Sequence, residues 1–109
     1  MTSQMIESPE QVSIIELGEL RLDIDEHRVT LKDQPIELTL TQFQLLEVLL
    51  KALGNVLSRR ALITLAMGRD IVVTERTVDV HISLVRKKLG EYGHIIETVR
   101  GVGYRIAKP

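Results

Sequence analysis

Apolar residues recur first in short alternating segments along the chain and then switch to a helical period. Val12–Leu17, Leu20–Ile24, Arg28–Leu31 and Ile36–Leu38 are segments of strand length, separated by Gly18-Glu19, Asp25-Glu26-His27 and Lys32-Asp33-Gln34-Pro35. The connections are short and rich in turn formers, which predicts four sequential antiparallel strands. One face of such a sheet must be covered by helices. At Leu38 the period changes. Thr39 is a suitable N-cap, Gln42 completes a capping box three residues on, and Phe43, Leu46, Leu49, Leu50 and Leu53 form a broad buried stripe that Gly54-Asn55 brings to an end. Ser58 caps a second, shorter helix in which Leu62, Leu65 and Ala66 face inward and Gly68 closes the turn. The two helices that follow Ser58 form a helix-turn-helix-like unit whose connecting loop, Arg69–Val73, is longer than a tight turn.

The segment Thr74–Gly90 carries two different apolar surfaces. At about 100° per residue, Val78, Ile82, Val85 and Leu89 fall in one narrow stripe, the spacing of a helix lying on a core. Arg76, Val80, Ser83, Leu84 and Lys87 cluster on the opposite side, flanked by Thr77, His81 and Lys88. Thr74 is placed as N-cap and Gly90 as the left-handed stop, giving about four turns. A helix whose outer face mixes cations with aliphatic side chains has two readings. It is an ordinary solvated surface, or it lies in a major groove, with Arg and Lys on phosphates and Thr, Val and Leu against base edges and thymine methyls.

Beyond Gly90, Ile95–Val99 and Tyr104–Ile106 alternate as strands around Arg100-Gly101-Val102-Gly103, which predicts a hairpin. Glycines 101 and 103 are both expected at positive φ, with Arg100 at an exposed tip and Tyr104 packing the hairpin with its hydroxyl at the surface. A phosphate-binding glycine loop is excluded, because no helix follows the Gly-x-Gly. At the other end, residues 1–11 are polar and aperiodic and are read as a linker or disordered tail, leaving 12–109 as the folded domain.

Composition narrows the function. The net charge is −1 over 109 residues, but it is unevenly spread: residues 1–50 carry 3 Lys/Arg and 10 Asp/Glu, whereas residues 51–109 carry 11 and 5. The basic half holds the two-faced helix and the hairpin, a distribution suited to a polyanion on one side. There is no cysteine, and no apolar run approaches the length of about 20 residues needed to cross a bilayer, so a soluble, cytoplasmic protein with no membrane partner is expected. His27, His81 and His94 are isolated from one another and from carboxylate clusters, so no metal and no cofactor is expected. Asp79 is read as a structural partner for an arginine. No nucleophile, base and orienting group occur together, which argues against an enzyme. A domain that docks only protein through Val80 and Leu84 is the competing class; the cation at the hairpin tip and the basic half argue against it.

Three motifs are more specific: Leu38-Thr39-Leu40-Thr41-Gln42-Phe43-Gln44-Leu45-Leu46, Arg76-Thr77-Val78-Asp79-Val80-His81-Ile82-Ser83, and Thr98-Val99-Arg100-Gly101-Val102-Gly103-Tyr104-Arg105. In order and spacing the chain resembles, from about Ile14 to Ile106, the OmpR/PhoB-type winged-helix output domain of two-component response regulators. The resemblance implies an α+β winged helix-turn-helix with a four-stranded antiparallel N-terminal sheet, three helices and a C-terminal β-hairpin wing. It implies sequence-specific double-stranded DNA binding as a transcriptional regulator, with the helix over 75–89 in the major groove and the wing over 95–106 at the minor groove. By position, Arg76, Thr77, Val80, His81, Ser83, Leu84, Arg86 and Lys87 fall at or beside DNA contacts on the helix, Arg86 at a backbone-contacting place, and Thr98 and Arg100 match wing contacts. Arg69, Asp70, Ile71, Val72, Val73 and Thr74 match a loop that faces RNA polymerase. The family also implies direct-repeat DNA sites and an N-terminal receiver domain, absent from this chain, so that the chain is expected to be an excised output domain.

The chain departs from the family pattern in two places. Leu84-Val85 stands where Arg-Leu is frequent, and Met67 and Ile71 stand where aromatic residues are common.

Overall fold

A computed structural model describes residues 13–69 and 71–107; the expected N-terminal tail and Val12 lie outside the described residues. Four antiparallel strands come first: β1 (Ile14–Leu17), β2 (Leu20–Asp23), β3 (Arg28–Leu31) and β4 (Gln34–Ile36), in the spatial order β1-β2-β3-β4. Leu20 and Leu22 of β2 and Val29 of β3 are buried, while Arg21 and Arg28 stay exposed, so the alternation expected of a one-sided sheet is present. The fourth strand begins earlier than the sequence pattern suggested. Lys32 and Asp33 take φ of 53° and 65°, which closes a two-residue hairpin with Leu31 opposite Gln34. Pro35 therefore lies inside β4, where an edge strand tolerates its missing N–H.

Helix α1 (Leu40–Lys51) starts at the expected capping box: the Thr39 hydroxyl accepts from the Gln42 N–H at 3.2 Å, and the Gln42 side chain accepts from the Thr39 N–H at 3.1 Å. This reciprocal pair explains how Gln42 is accommodated although it is buried. Phe43, Leu45, Leu46, Leu49 and Leu50 are buried on α1, so the stripe includes Leu45, which was not expected, and stops short of Leu53, which lies beyond the helix and is half-buried. The helix ends at Lys51, before Gly54-Asn55, because Gly54 gives its N–H to Ile106 O at 3.1 Å instead of continuing the helix.

Two residues after that turn region, Leu57–Ser58 form a short strand, β5, and Ser58 then caps α2 (Arg59–Leu62) by accepting from the Ala61 N–H. The second helix is not a uniform α-helix. Residues Ile63–Met67 make a π-helical turn, in which the Gly68 N–H bonds the Ile63 carbonyl five residues back at 3.1 Å. The wider turn rotates the side chains, so Leu62, Ile63 and Ala66 are buried and Leu65 is 60% exposed, correcting the inward place expected for Leu65.

Helix α3 (Glu75–Leu89) is followed by a 3-10 turn (Gly90–Ile95) and the hairpin β6 (Ile96–Val99) and β7 (Gly103–Ile106). Ile95 belongs to the turn, not to the strand. The hairpin recruits β5 into a three-stranded sheet of order β5-β7-β6, a pairing that local pattern did not foretell. The core lies where α1 packs against α3, the π-turn and β7, with the four-stranded sheet closing one side. No helix among the described residues is long and apolar enough to cross a membrane.

Candidate nucleic-acid interface

Helix α3 divides as its periodicity predicts. Val78, Ile82, Val85 and Leu89 are buried, whereas Arg76, Ser83 and Lys87 are exposed together with Val80 (51%) and Leu84 (41%). Thr74 has the extended backbone of an N-cap, but its hydroxyl makes no bond to a helix N–H; it lies 3.4 Å from the Thr77 hydroxyl. Glu75 in the first turn and Arg86, Lys87 and Lys88 in the last suit the helix dipole. Gly90, at φ 58°, ends the helix. Arg76, Asp79, Val80, Ser83 and Leu84 line an open groove of about 380 Å³ along the outer face. His81 is half-buried, and its Nδ1 has no hydrogen-bond partner among the described residues.

The hairpin projects beside this helix. Val99 pairs with Gly103, so Arg100, Gly101 and Val102 form the tip; Arg100 is exposed and Gly101 takes φ 76°. Gly103 has a different role from the one expected. Its φ is not positive; a Cβ there would collide with the Leu57 carbonyl and with Ser58 Cα, so the missing side chain is what lets β5 approach β7.

Two contacts join the wing to α3. Arg86 donates from Nε (3.0 Å) and Nη2 (2.6 Å) to the Ile96 carbonyl, and from Nη2 to the Thr98 hydroxyl at 2.8 Å. Arg86 and Thr98, expected as separate contact residues, are thus bonded to one another. The second contact is Tyr104, whose hydroxyl donates to Asp79 Oδ1 at 2.5 Å, while Arg59 Nε donates to the same oxygen at 2.7 Å. Tyr104 is only 4% exposed, which corrects the surface hydroxyl expected for it. The guanidinium carbons of Arg59 and Arg86 lie 5.2 and 5.5 Å from the Tyr104 ring centroid. The Tyr104 hydrogen bond, with help from Arg59, holds the Asp79 carboxyl below its ordinary range; burial, reinforced by the Asp79 charge, pushes the Tyr104 phenol up. Asp79 has an arginine partner, as its sequence position suggested, and Arg59 is the one.

Residues 33–106 match the family described as transcriptional regulatory protein, C terminal. The chain belongs to this family. Among its relatives, the phosphate regulon transcriptional regulatory protein PhoB of Pseudomonas aeruginosa is 43% identical over 94 residues, covering 85% of this chain and 41% of that protein. The chain therefore spans about two fifths of the length of such a relative. The DNA-binding domain of Escherichia coli CpxR superposes with a TM-score of 0.78 at 33% identity, covering 89% of this chain and 98% of that one. The Klebsiella pneumoniae RstA DNA-binding domain, solved in complex with the RstA box, gives 0.77 at 32% identity, covering 88% and 98%. The N-terminal sheet, three helices and hairpin of this chain are the winged helix of these response-regulator domains.

Within that winged helix, the remaining expected residues are spread unevenly. In the loop before α3, Ile71 and Val72 are exposed, Val72 to 97%, and Arg69 and Thr74 are also at the surface, whereas Val73 is half-buried against the core. Asp70 lies outside the described residues. Lys88 is drawn away from the helix face and donates to the Glu37 carbonyl at 2.7 Å. The sequence reading missed Arg59 and the interior role of Tyr104. The one signal available for them was the chemistry of the types: a tyrosine next to a glycine strand and an aspartate on the flank of the helix both need a polar partner when buried. Among the described residues, no group of three or more His, Cys, Asp or Glu is arranged to hold a metal ion.

Proposed function

We propose that this chain binds double-stranded DNA sequence-specifically as the output domain of a bacterial two-component response regulator, acting in the cytoplasm as a transcriptional regulator and not as an enzyme. One observation carries the reading: the exposed face of α3 presents Arg76 and Lys87 beside Val80, Ser83 and Leu84, next to a hairpin whose tip exposes Arg100. The cations suit phosphates, and the short polar and aliphatic side chains between them suit base edges and thymine methyls in a major groove. Thr77 and His81 are half-buried on the flanks of that face, and in this reading they contact DNA only at its margins. Arg100 on a narrow tip suits the negative potential of an A·T-rich minor groove. Support also comes from the RstA domain, which was solved with its DNA box.

In the whole protein, a receiver domain N-terminal to this chain regulates its assembly on direct-repeat half-sites, about one helical turn apart. The exposed Arg69, Ile71, Val72 and Thr74 form the surface offered to RNA polymerase.

A salt titration tests the DNA reading. With about three to five cations engaged, log K falls against log salt with a slope of roughly −3 to −4.5 on duplexes selected from a random pool. A slope near zero on the best selected duplex overturns it and favours a protein-docking surface on Val80 and Leu84.

A further inference from the structure

Arg86 sits in the last turn of α3 next to Lys87 in sequence, a place where a cation would be an obvious phosphate ligand. Its geometry points elsewhere. The Nε and Nη2 edge of the guanidinium, one of the two edges that can grip an oxyanion with paired donors, is occupied by the Ile96 carbonyl and the Thr98 hydroxyl. Its central carbon lies 5.5 Å from the ring centroid of Tyr104, which pairs with Thr98 across the hairpin. Both acceptors are on β6, which runs through Val99 into the tip that carries Arg100. On the β7 side the hairpin is held by its pairing with β5 and by the Tyr104–Asp79 bond; Arg86 ties the other strand, β6, to α3.

We propose that Arg86 is a positioning residue for DNA recognition: it acts through the wing, fixing where Arg100 stands relative to the outer face of α3, rather than by neutralising a phosphate. The inference rests on the DNA-binding reading. It assigns the contribution of Arg86 to shape, not to charge, so the planar fork matters and a retained positive charge does not. Lysine keeps the charge but has neither a fork to hold a carbonyl and a hydroxyl together nor a planar cation to set near the ring.

The test compares the wild-type domain with Arg86→Lys, Arg86→Met, Arg100→Ala and the double variant Arg86→Lys with Arg100→Ala. The probe is a duplex selected from a random pool by the wild type, with and without an A·T-rich flank, at several salt concentrations and well below each melting temperature. Wild-type binding is read first: if it has no salt-dependent affinity for any selected duplex, the DNA reading itself has failed, before any variant is compared. Given wild-type binding, positioning through the wing predicts that Arg86→Lys and Arg86→Met lose affinity alike, by about fivefold or more, that Arg86→Lys leaves the salt slope unchanged and loses preference for the A·T flank, and that adding it to Arg100→Ala costs less than about twofold further. The proposal is overturned if Arg86→Lys binds like wild type while Arg86→Met lowers the slope by about 0.9, the signature of one lost phosphate contact. It is equally overturned if the losses from Arg86→Lys and Arg100→Ala multiply, since the arginine then acts independently of the wing.

Discussion

Tyr104 of the wing and Asp79 of α3 share a hydrogen bond of 2.5 Å, although they lie 25 residues apart in the chain. Arg59, from the start of α2, reaches the same carboxylate oxygen, so one carboxylate joins the second helix, the third helix and the hairpin. The arrangement satisfies a phenol that would otherwise be buried without a partner, and it aligns the two elements proposed to enter adjacent grooves.

The Asp79 cluster gives a pH dependence of known sign. Because its folded pKa is depressed, chiefly by the Tyr104 hydroxyl, Asp79 contributes stability that is fully present above the unfolded carboxylate value of about 3.9 and is lost as pH falls through its lower folded value. Asp79→Asn is therefore expected to melt below the wild type near neutral pH, with the gap steady down to about the unfolded carboxylate value of about 3.9 and narrowing as pH falls further. Thermal unfolding followed across that range checks it; a gap that is constant or widens in acid contradicts the role given to the carboxylate.

Gly103→Ala is expected to destabilise the fold by about 1–3 kcal/mol, because the added methyl overlaps the backbone of β5. The expected signature is a lower melting temperature together with faster amide exchange at Leu57 and Ser58. Unchanged exchange there means that the close approach of β5 to β7 is not what the glycine provides.

Arg100→Ala is expected to weaken DNA binding and reduce the preference for A·T pairs beside the major-groove site, while changing stability by no more than about 0.5 kcal/mol at this exposed tip. Competition between duplexes with A·T-rich and G·C-rich flanks measures the first effect and thermal unfolding the second. A stable variant with wild-type flank preference removes the wing from the readout.

Leu84 stands where an arginine is frequent in the family, and its side chain is exposed beside the groove on α3. Burying about 40 Å² of apolar surface against a thymine methyl is worth roughly 1 kcal/mol, whereas a bidentate arginine on guanine discriminates by ~1–3 kcal/mol. Leu84→Arg is expected to shift preference toward guanine at one position per half-site and to raise affinity for all duplexes. Site selection from one random pool with both proteins tests it: identical preferred sites mean that Leu84 does not face the bases.

By itself the sequence determined the order of the elements, the capping box of Thr39 and Gln42, and the two faces of α3, since each depends on residues within a few positions of one another, where periodicity and caps act directly. The exposed candidates Arg76, Val80, Ser83, Leu84, Lys87 and Arg100 were legible for the same reason: they follow from helical phase and turn position. Tertiary structure decided the rest. Leu65 turns outward because a π-turn changes the phase of the second helix, and no local pattern marks where a turn widens. Leu57–Ser58 becomes a strand only because β7 is there to pair with it, and Gly103 is needed for closeness rather than for φ. Arg86 sits at a position that looks like a surface contact and Tyr104 at one that leaves its hydroxyl at the surface, yet the donors of both find acceptors on other elements. A donor that will be enclosed must bond to whatever the fold brings beside it, and which acceptor that is depends on chain separated from it by ten residues in one case and twenty-five in the other.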